Sequence, residues 1–99
     1  MNDAVKITMG DILKEEFMIP YKLSASKLAR DIDVPTSRIQ DILHDRRKIS
    51  LDTSIRLGKY FGASETYFLN MQNSVDLRNL DDDAVKEYTK IKPIKHLSA

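Results

Sequence analysis

Apolar residues recur at intervals of three and four positions along nearly the whole chain, and no stretch alternates long enough to indicate a β-strand. A period of about 3.6 residues is that of an amphipathic α-helix, which buries one stripe and leaves the rest in water. At 99 residues the chain is too short for two ordinary domains. The pattern therefore predicts an all-α protein with one small core, and a core of this size favours oligomerisation as additional support.

Three helices are predicted in the first half of the chain. The first covers residues 9–18, and Pro20 marks its end. A short second helix begins after Ser24, whose hydroxyl can cap free amide groups. The third covers residues 35–44, because proline is tolerated in the first turn of a helix. The residues expected to face the core are Met9, Ile12, Leu13, Phe17, Leu28, Ala29, Ile32, Ile39, Ile42 and Leu43.

Three more helices are predicted in the second half. The fourth begins at Ser50 or Asp52 and ends at Gly62, since glycine accepts the left-handed conformation of a helix end. The fifth covers residues 64–75 and is capped by its first residue. A short sixth helix covers residues 81–90, where three aspartates suit the positive end of the helix dipole. The residues expected to face the core are Leu51, Ser54, Ile55, Leu57, Gly58, Phe61, Phe68, Met71, Gln72 and Val75.

Charge is unevenly distributed, although the formal net charge is only +1. Residues 22–48 contain seven basic and four acidic side chains, whereas residues 65–87 contain six acidic and two basic ones. The segment from residue 90 onward is basic again. Such a chain can present opposite charges to two different partners.

Several classes of protein are not expected. The sequence has no cysteine, which excludes disulfides, thiolate metal sites and a cysteine nucleophile, and fits a reducing compartment. The first residues lack the long apolar stretch of a signal peptide or membrane helix. His44 and His96 are isolated, and no serine, histidine and carboxylate are arranged for catalysis. We therefore expect a cytoplasmic protein that is not an enzyme and holds no metal or cofactor.

Residues 25–44 have the pattern of a helix-turn-helix. Two short helices are joined by a tight turn, and Ala29 supplies the small side chain that steeply crossing helices need. The second helix of this motif lies in the DNA major groove, where side chains near its N-terminal turn face base edges. The expected base contacts are Thr36, Ser37, Gln40, Asp41 and His44.

Groups suited to phosphate lie at both ends of this motif. The start of the second helix offers free amides and hydroxyls, and three basic residues at 46–48 follow the third helix. Arg38 could reach either a guanine or the DNA backbone. Phosphate contacts supply most of the affinity and little of the sequence discrimination. The expected phosphate contacts are Ser24, Ser26, Arg38, Arg46, Arg47 and Lys48.

Six stretches together carry a family likeness: GDILKEEF at 10–17, LA at 28–29, VPTSRI at 34–39, RKIS at 47–50, RLGKYFG at 56–62 and FLNMQ at 68–72. They resemble the HigA antitoxin subgroup of the lambda-repressor-like (Xre) class. The chain departs from the family at Asp33 and Asp45, where glycine is usual, and at Phe68, where tryptophan is usual. Aspartate tolerates the left-handed conformation better than most residues, so the fold is expected to survive.

The resemblance implies a lambda-repressor-like, five-helix DNA-binding domain over residues 9–77. An N-terminal arm at 1–8 precedes it, and a short C-terminal helix with a basic tail follows at 78–99. It also implies an antitoxin that binds a small mRNA-cleaving toxin of the RelE-like fold. This antitoxin represses its own operon as a homodimer on a palindromic operator.

Two alternatives stay open: a stand-alone phage- or plasmid-type repressor without a toxin, and a protein-binding module with this fold. Gln72 is expected to bond either a backbone group or a dimer partner. Tyr67 and Leu69 do not fit on the core-facing stripe of the fifth helix. The expected dimer contacts are Tyr67, Leu69, Val75 and Leu77.

Overall fold

The computed structural model describes residues 6–95, and these residues form helices and connecting loops without a strand. This confirms the all-α prediction. Residues 1–5 of the predicted arm and residues 96–99 of the tail, including His96, lie outside the described residues. No helix in the described range is both long and apolar enough to cross a membrane. The helices are α1 (Met9–Ile12, continued as a π-helix over Leu13–Met18), α2 (Ala25–Asp31), α3 (Thr36–Leu43), α4 (Leu51–Phe61), α5 (Tyr67–Arg78) and α6 (Asp82–Thr89).

Three helix starts are capped by side chains, at or within one residue of their predicted positions. The side chains of Ser24, Ser50 and Asp81 each accept a hydrogen bond from the backbone N–H three residues later. Such a bond satisfies one of the amides that the first turn of a helix leaves free. Gly62 ends α4 with a φ of 76°, in the left-handed region, as predicted.

Several predicted helix boundaries were wrong, and α5 continues to Arg78, three residues beyond its predicted end. Pro35 is the N-cap of α3 and not its first residue, a shift of one position. Ser64 does not cap α5, which begins at Tyr67 after Thr66. The reason lies in a turn before the helix, where the Tyr67 N–H donates to the Ser64 carbonyl at 3.2 Å.

Asp33 and Asp45 both adopt the left-handed conformation, with φ of 60° and 57°. Asp33 lies in the turn between α2 and α3, and Asp45 lies just after α3. Both aspartates therefore take the left-handed conformation that aspartate was expected to tolerate at these positions. Lys22 also has a positive φ, of 55°, and nothing in the sequence singled it out.

The core lies between α1, α2, α3, α4 and the first half of α5. Phe68 is fully buried, and its ring centroid is 4.8 Å from that of Phe17 and 5.9 Å from that of Phe61. Leu51 was expected in the core but is 53% exposed, because it lies on the first turn of α4 ahead of the buried face. The most buried hydrophobic residues are Met9, Leu13, Met18, Leu28, Ala29, Ile32, Ile39, Ile42, Ile49, Leu57, Phe68 and Val75.

Gly10 allows α1 to approach the C-terminal end of α3. A β-carbon at this position would overlap the Leu43 carbonyl oxygen and lie 2.7 Å from the Ile42 carbonyl oxygen. The Gly10 N–H also donates to the Asp45 carboxylate at 3.0 Å. The end of α3 and the residue after it are therefore fixed against α1.

Candidate nucleic-acid interface

α2 and α3 form the helix-turn-helix that the sequence predicted. Ala29 and Leu28 are buried on α2, and Ile39 and Ile42 are buried on α3. The turn is closed by the Val34 N–H, which donates to the Ala29 carbonyl at 2.9 Å. Because the apolar stripe of α3 is buried, its opposite side faces solvent.

The solvent-facing side of α3 presents the side chains predicted to contact bases. Thr36, Ser37, Gln40 and His44 are exposed, and the Asp41 side chain is 40% exposed. Residues at these intervals share one side of a helix. The His44 Nδ1 lies 2.8 Å from the Gln40 carbonyl oxygen, which can only accept, so Nδ1 is the donor in this hydrogen bond.

Arg38 lies on α3 but is turned toward α4. Its Nη1 donates to the Asp52 carboxylate at 3.0 Å, and its side chain is 24% exposed. Its Nε is buried without a hydrogen-bond partner among the described residues. In this position Arg38 offers little of its guanidinium to a nucleic acid.

Asp52 and Arg56 join the helix-turn-helix to α4. The Arg56 Nε donates to Asp52 at 3.0 Å, and its Nη1 donates to the Ile32 carbonyl at 2.9 Å, at the end of α2. Hydrogen bonds from Arg56, and then from Arg38, hold the pKa of the Asp52 carboxyl below its ordinary value. No role was predicted for Arg56, although the i, i+4 spacing of Asp52 and Arg56 indicates an ion pair on one side of a helix.

Replacing Asp52 by asparagine lowers the melting temperature at neutral pH and has less effect in acid. The folded-state pKa of Asp52 is depressed, so its stabilising contribution is complete above the unfolded-state pKa and is lost as the pH falls through the folded one. Thermal melts between about pH 7 and about pH 3 measure the difference in melting temperature between Asp52→Asn and the unmodified chain. This difference should shrink in the acidic part of that range.

The Glu16→Gln variant is the control, because Glu16 is exposed and makes no ion pair within residues 6–95. At neutral pH its melting curve should follow that of the unmodified chain more closely than the curve of Asp52→Asn does. A deficit of Asp52→Asn that is constant with pH would contradict an electrostatic role for Asp52.

A second contact fastens the end of α2 to α4. The Tyr60 hydroxyl donates to the Asp31 carboxylate at 2.7 Å, and the Lys27 ammonium donates to the same oxygen at 2.8 Å. The bond from Lys27, followed by that from Tyr60, lowers the pKa of Asp31. At the start of α2, Ser24 uses its hydroxyl as the helix cap, and Ser26 is exposed.

Residues 45–49, which we call the basic loop, follow α3. The Arg46 Nη2 lies 2.9 Å from the Asp41 carboxylate, and the Lys48 Nζ lies 2.8 Å from the Asp76 carboxylate. Arg47 makes no ion pair within the described part of the chain, and its backbone N–H donates to the Asp41 carbonyl at 3.2 Å. Arg47 is thus the one basic side chain of this loop with an unmatched charge among residues 6–95.

Gln72 attaches the basic loop to α5. It is 6% exposed; its Oε1 accepts from the Ile49 N–H at 3.0 Å, and its Nε2 donates to Asp76 at 3.1 Å. Of the two partners expected for Gln72, the structure shows a backbone group. Because the amide is buried and bonded at both ends, it fixes the loop and the Asp76 carboxylate together.

The predicted dimer contacts differ in how much surface they offer. Tyr67 is 42% exposed and Leu77 is 71% exposed, whereas Leu69 is partly buried. Val75 is only 6% exposed, because its side chain is turned into the protomer, so it has little surface to offer a partner. α6 was not predicted to take part, yet it has no buried residue and exposes Val85, Tyr88 and, just beyond its end, Ile91.

No group of three or more potential metal ligands occurs within residues 6–95.

Residues 13–68 match the family model described as helix-turn-helix. Virulence-associated protein I of Dichelobacter nodosus is 42% identical over 82 residues, which are 83% of this chain and 76% of that protein.

Two of the solved structures that match share this fold over most of the chain. A structure described as Pseudomonas aeruginosa antitoxin HigA with the higBA promoter has a TM-score of 0.79 and 33% identity, and the match covers 91% of this chain and 99% of that one. An addiction module antidote protein of the HigA family from Coxiella burnetii has a TM-score of 0.78 and 35% identity, over 92% and 100% of the two chains.

Proposed function

Because the chain belongs to the helix-turn-helix family and has the fold of HigA antitoxins, we propose that it represses transcription by binding operator DNA as a homodimer. The observation that carries the proposal is the exposed polar side of α3, next to an unmatched arginine in the basic loop. A helix placed in the major groove by this motif reads bases with that side. One of the two similar structures is described as an antitoxin with its promoter.

The side chains of α3 suit particular base edges. The Gln40 amide can bond an adenine through both of its groups, and Thr36 or Ser37 can bond either a base edge or a phosphate. The Asp41 carboxylate can accept from the amino group of a cytosine. Both contacts of Arg46 are to the Oδ1 of Asp41, so Oδ2 can accept from a cytosine while Arg46 stays in place.

Replacing Arg47 by alanine weakens binding to the operator and to unrelated DNA alike. A phosphate contact contributes affinity without sequence information, and its removal reduces the slope of log K against log salt by about one. Fluorescence anisotropy titrations on both duplexes at several salt concentrations measure the slope. Lys86→Ala on α6 makes the same change of charge and should leave the slope intact, whereas an unchanged slope for Arg47→Ala would remove Arg47 from the phosphate contacts.

The proposed dimer uses the exposed apolar side chains of the C-terminal helices. Tyr67, Leu69 and Leu77 on α5 supply part of this surface, and Val85 and Tyr88 on α6 extend it. A two-fold dimer places two copies of α3 in successive major grooves, with half-sites about ten base pairs apart. Neither α3 nor the basic loop is used in this contact, so both stay available for DNA.

The second part of the proposed function is neutralisation of a RelE-like toxin. It is supported by the likeness to HigA antitoxins, and the excess of acidic residues over 65–87 suits a basic partner. The test is co-expression with the product of a small neighbouring gene. We expect that product to arrest growth alone, and to co-purify with this chain when growth is restored. A chain that binds its operator but relieves no such arrest is a stand-alone repressor.

A further inference from the structure

We propose that Asp76 is an internal counterion for Lys48, which limits the affinity of the basic loop for DNA of any sequence. The inference rests on the proposed DNA-binding function and adds an element of regulation to the same surface. Asp76 lies on α5, and it is 28 residues from Lys48 in the sequence. It is outside the helix-turn-helix and was not among the residues expected to influence DNA binding.

The Asp76 carboxylate is held in place from within the protein. One oxygen accepts from Lys48 at 2.8 Å, and the other accepts from the Gln72 amide at 3.1 Å. Gln72 is buried and is itself fixed by the Ile49 N–H at 3.0 Å. Asp76 is therefore positioned by a buried amide, and it holds its charge at one place beside the basic loop.

A second basic side chain of the loop is also paired with a carboxylate. Arg46 is paired with Asp41, Lys48 is paired with Asp76, and Arg47 has no acidic partner among residues 6–95. Two of three consecutive positive charges are thus matched by carboxylates before DNA arrives. Binding that does not depend on sequence is almost entirely electrostatic, so these carboxylates reduce it directly.

A phosphate competes with Asp76 for Lys48. The Lys48 side chain is 73% exposed, so it can turn from the carboxylate to a phosphate without unfolding the loop. An ion pair of this exposure is weak enough for DNA to displace. Asp76 itself stays bonded to the Gln72 amide, so its carboxylate remains within reach of Lys48 and continues to compete with the phosphate for that ammonium group.

The test replaces Asp76 by asparagine, which keeps an oxygen for the Gln72 amide and removes the charge. We expect about two- to fivefold tighter binding to an unrelated duplex, the equivalent of one exposed ion pair. The slope of log K against log salt should steepen by up to about 0.9, the value for one phosphate contact. Asp83→Asn on α6 is the matched control, and it should change neither quantity.

The Asp76→Asn substitution is also tested in a Lys48→Ala variant. If Asp76 acts through Lys48, then adding Asp76→Asn to Lys48→Ala gives no gain beyond that of Asp83→Asn. A gain that persists without Lys48, an equal gain from Asp83→Asn, or no gain in the single variant each overturns the inference. Thermal melts of all four variants establish that the fold is retained.

The outcomes also separate this inference from the proposed function. The unmodified chain could prefer its own promoter while the Asp76→Asn variant binds DNA with the same affinity as the unmodified chain. In that case only the proposed role of Asp76 is wrong. If the unmodified chain shows no preference for its promoter, the proposed function is wrong, while tighter binding by Asp76→Asn still supports the electrostatic role of Asp76.

Discussion

Replacing Phe68 by alanine lowers the free energy of unfolding by about 3 to 5 kcal/mol. Phe68 is fully buried and packs against the rings of Phe17 and Phe61, which come from α1 and α4. The truncation leaves a cavity at the point where three helices meet. Since a domain of this size is stable by only about 5 to 15 kcal/mol, the loss is a large fraction of the total. Urea denaturation followed by circular dichroism measures it.

Tyr21→Ala is the matched control for the aromatic cluster. Its ring centroid is 6.0 Å from that of Phe61, but the side chain is 67% exposed. Its removal therefore exposes little new surface and should lower the stability by less than about 1 kcal/mol. Similar losses for the two variants would mean that Phe68 is not at the centre of the core.

Replacing Gln40 by alanine weakens operator binding by about 1 to 3 kcal/mol for each half-site, the value of a bidentate base contact. This corresponds to about 5- to 150-fold for each half-site, and the factor is squared for a dimer that occupies both half-sites. Binding to an unrelated duplex should hardly change, because it depends on phosphate contacts that Gln40 does not make. Paired titrations of the two duplexes at one salt concentration measure both effects.

Ser64→Ala is the control, since Ser64 is an exposed, uncharged polar residue in the turn before α5 and is neither on α3 nor among the proposed dimer contacts. It should leave both binding constants unchanged if the loss is specific to the face of α3. Equal losses on operator and unrelated DNA for Gln40→Ala would show that Gln40 does not read a base. The Gln40→Ala variant should melt at the same temperature as the unmodified chain, because the Gln40 side chain is exposed.

Much of the fold could be predicted because its signals are local. A serine before a helix, a glycine after one and an apolar stripe act within a few residues, and they indicate the start of α2 and both limits of α4. Ile49 was missed because it lies in a loop with no periodic pattern, and its N–H is bonded to Gln72 across the fold. Ser64 was misjudged because a turn intervenes before α5.

The candidate site could likewise be predicted only where its signals are local. The exposed side of α3 could be predicted, since a helix with one buried stripe must turn the other side to water. The partners of Arg38 and Lys48 could not, because Asp52 and Asp76 are 14 and 28 residues away in the sequence. Which of several basic side chains is already paired depends on packing that only the folded chain defines.

In the proposed function, this chain reads a DNA sequence through α3. The most direct test titrates the protein into a labelled duplex from upstream of its own operon and into an unrelated duplex, at two salt concentrations. We predict binding as a dimer and a preference for its own promoter of about three orders of magnitude. Weak, equal and salt-sensitive binding to both duplexes would contradict the account, and would mean that the fold serves a protein partner.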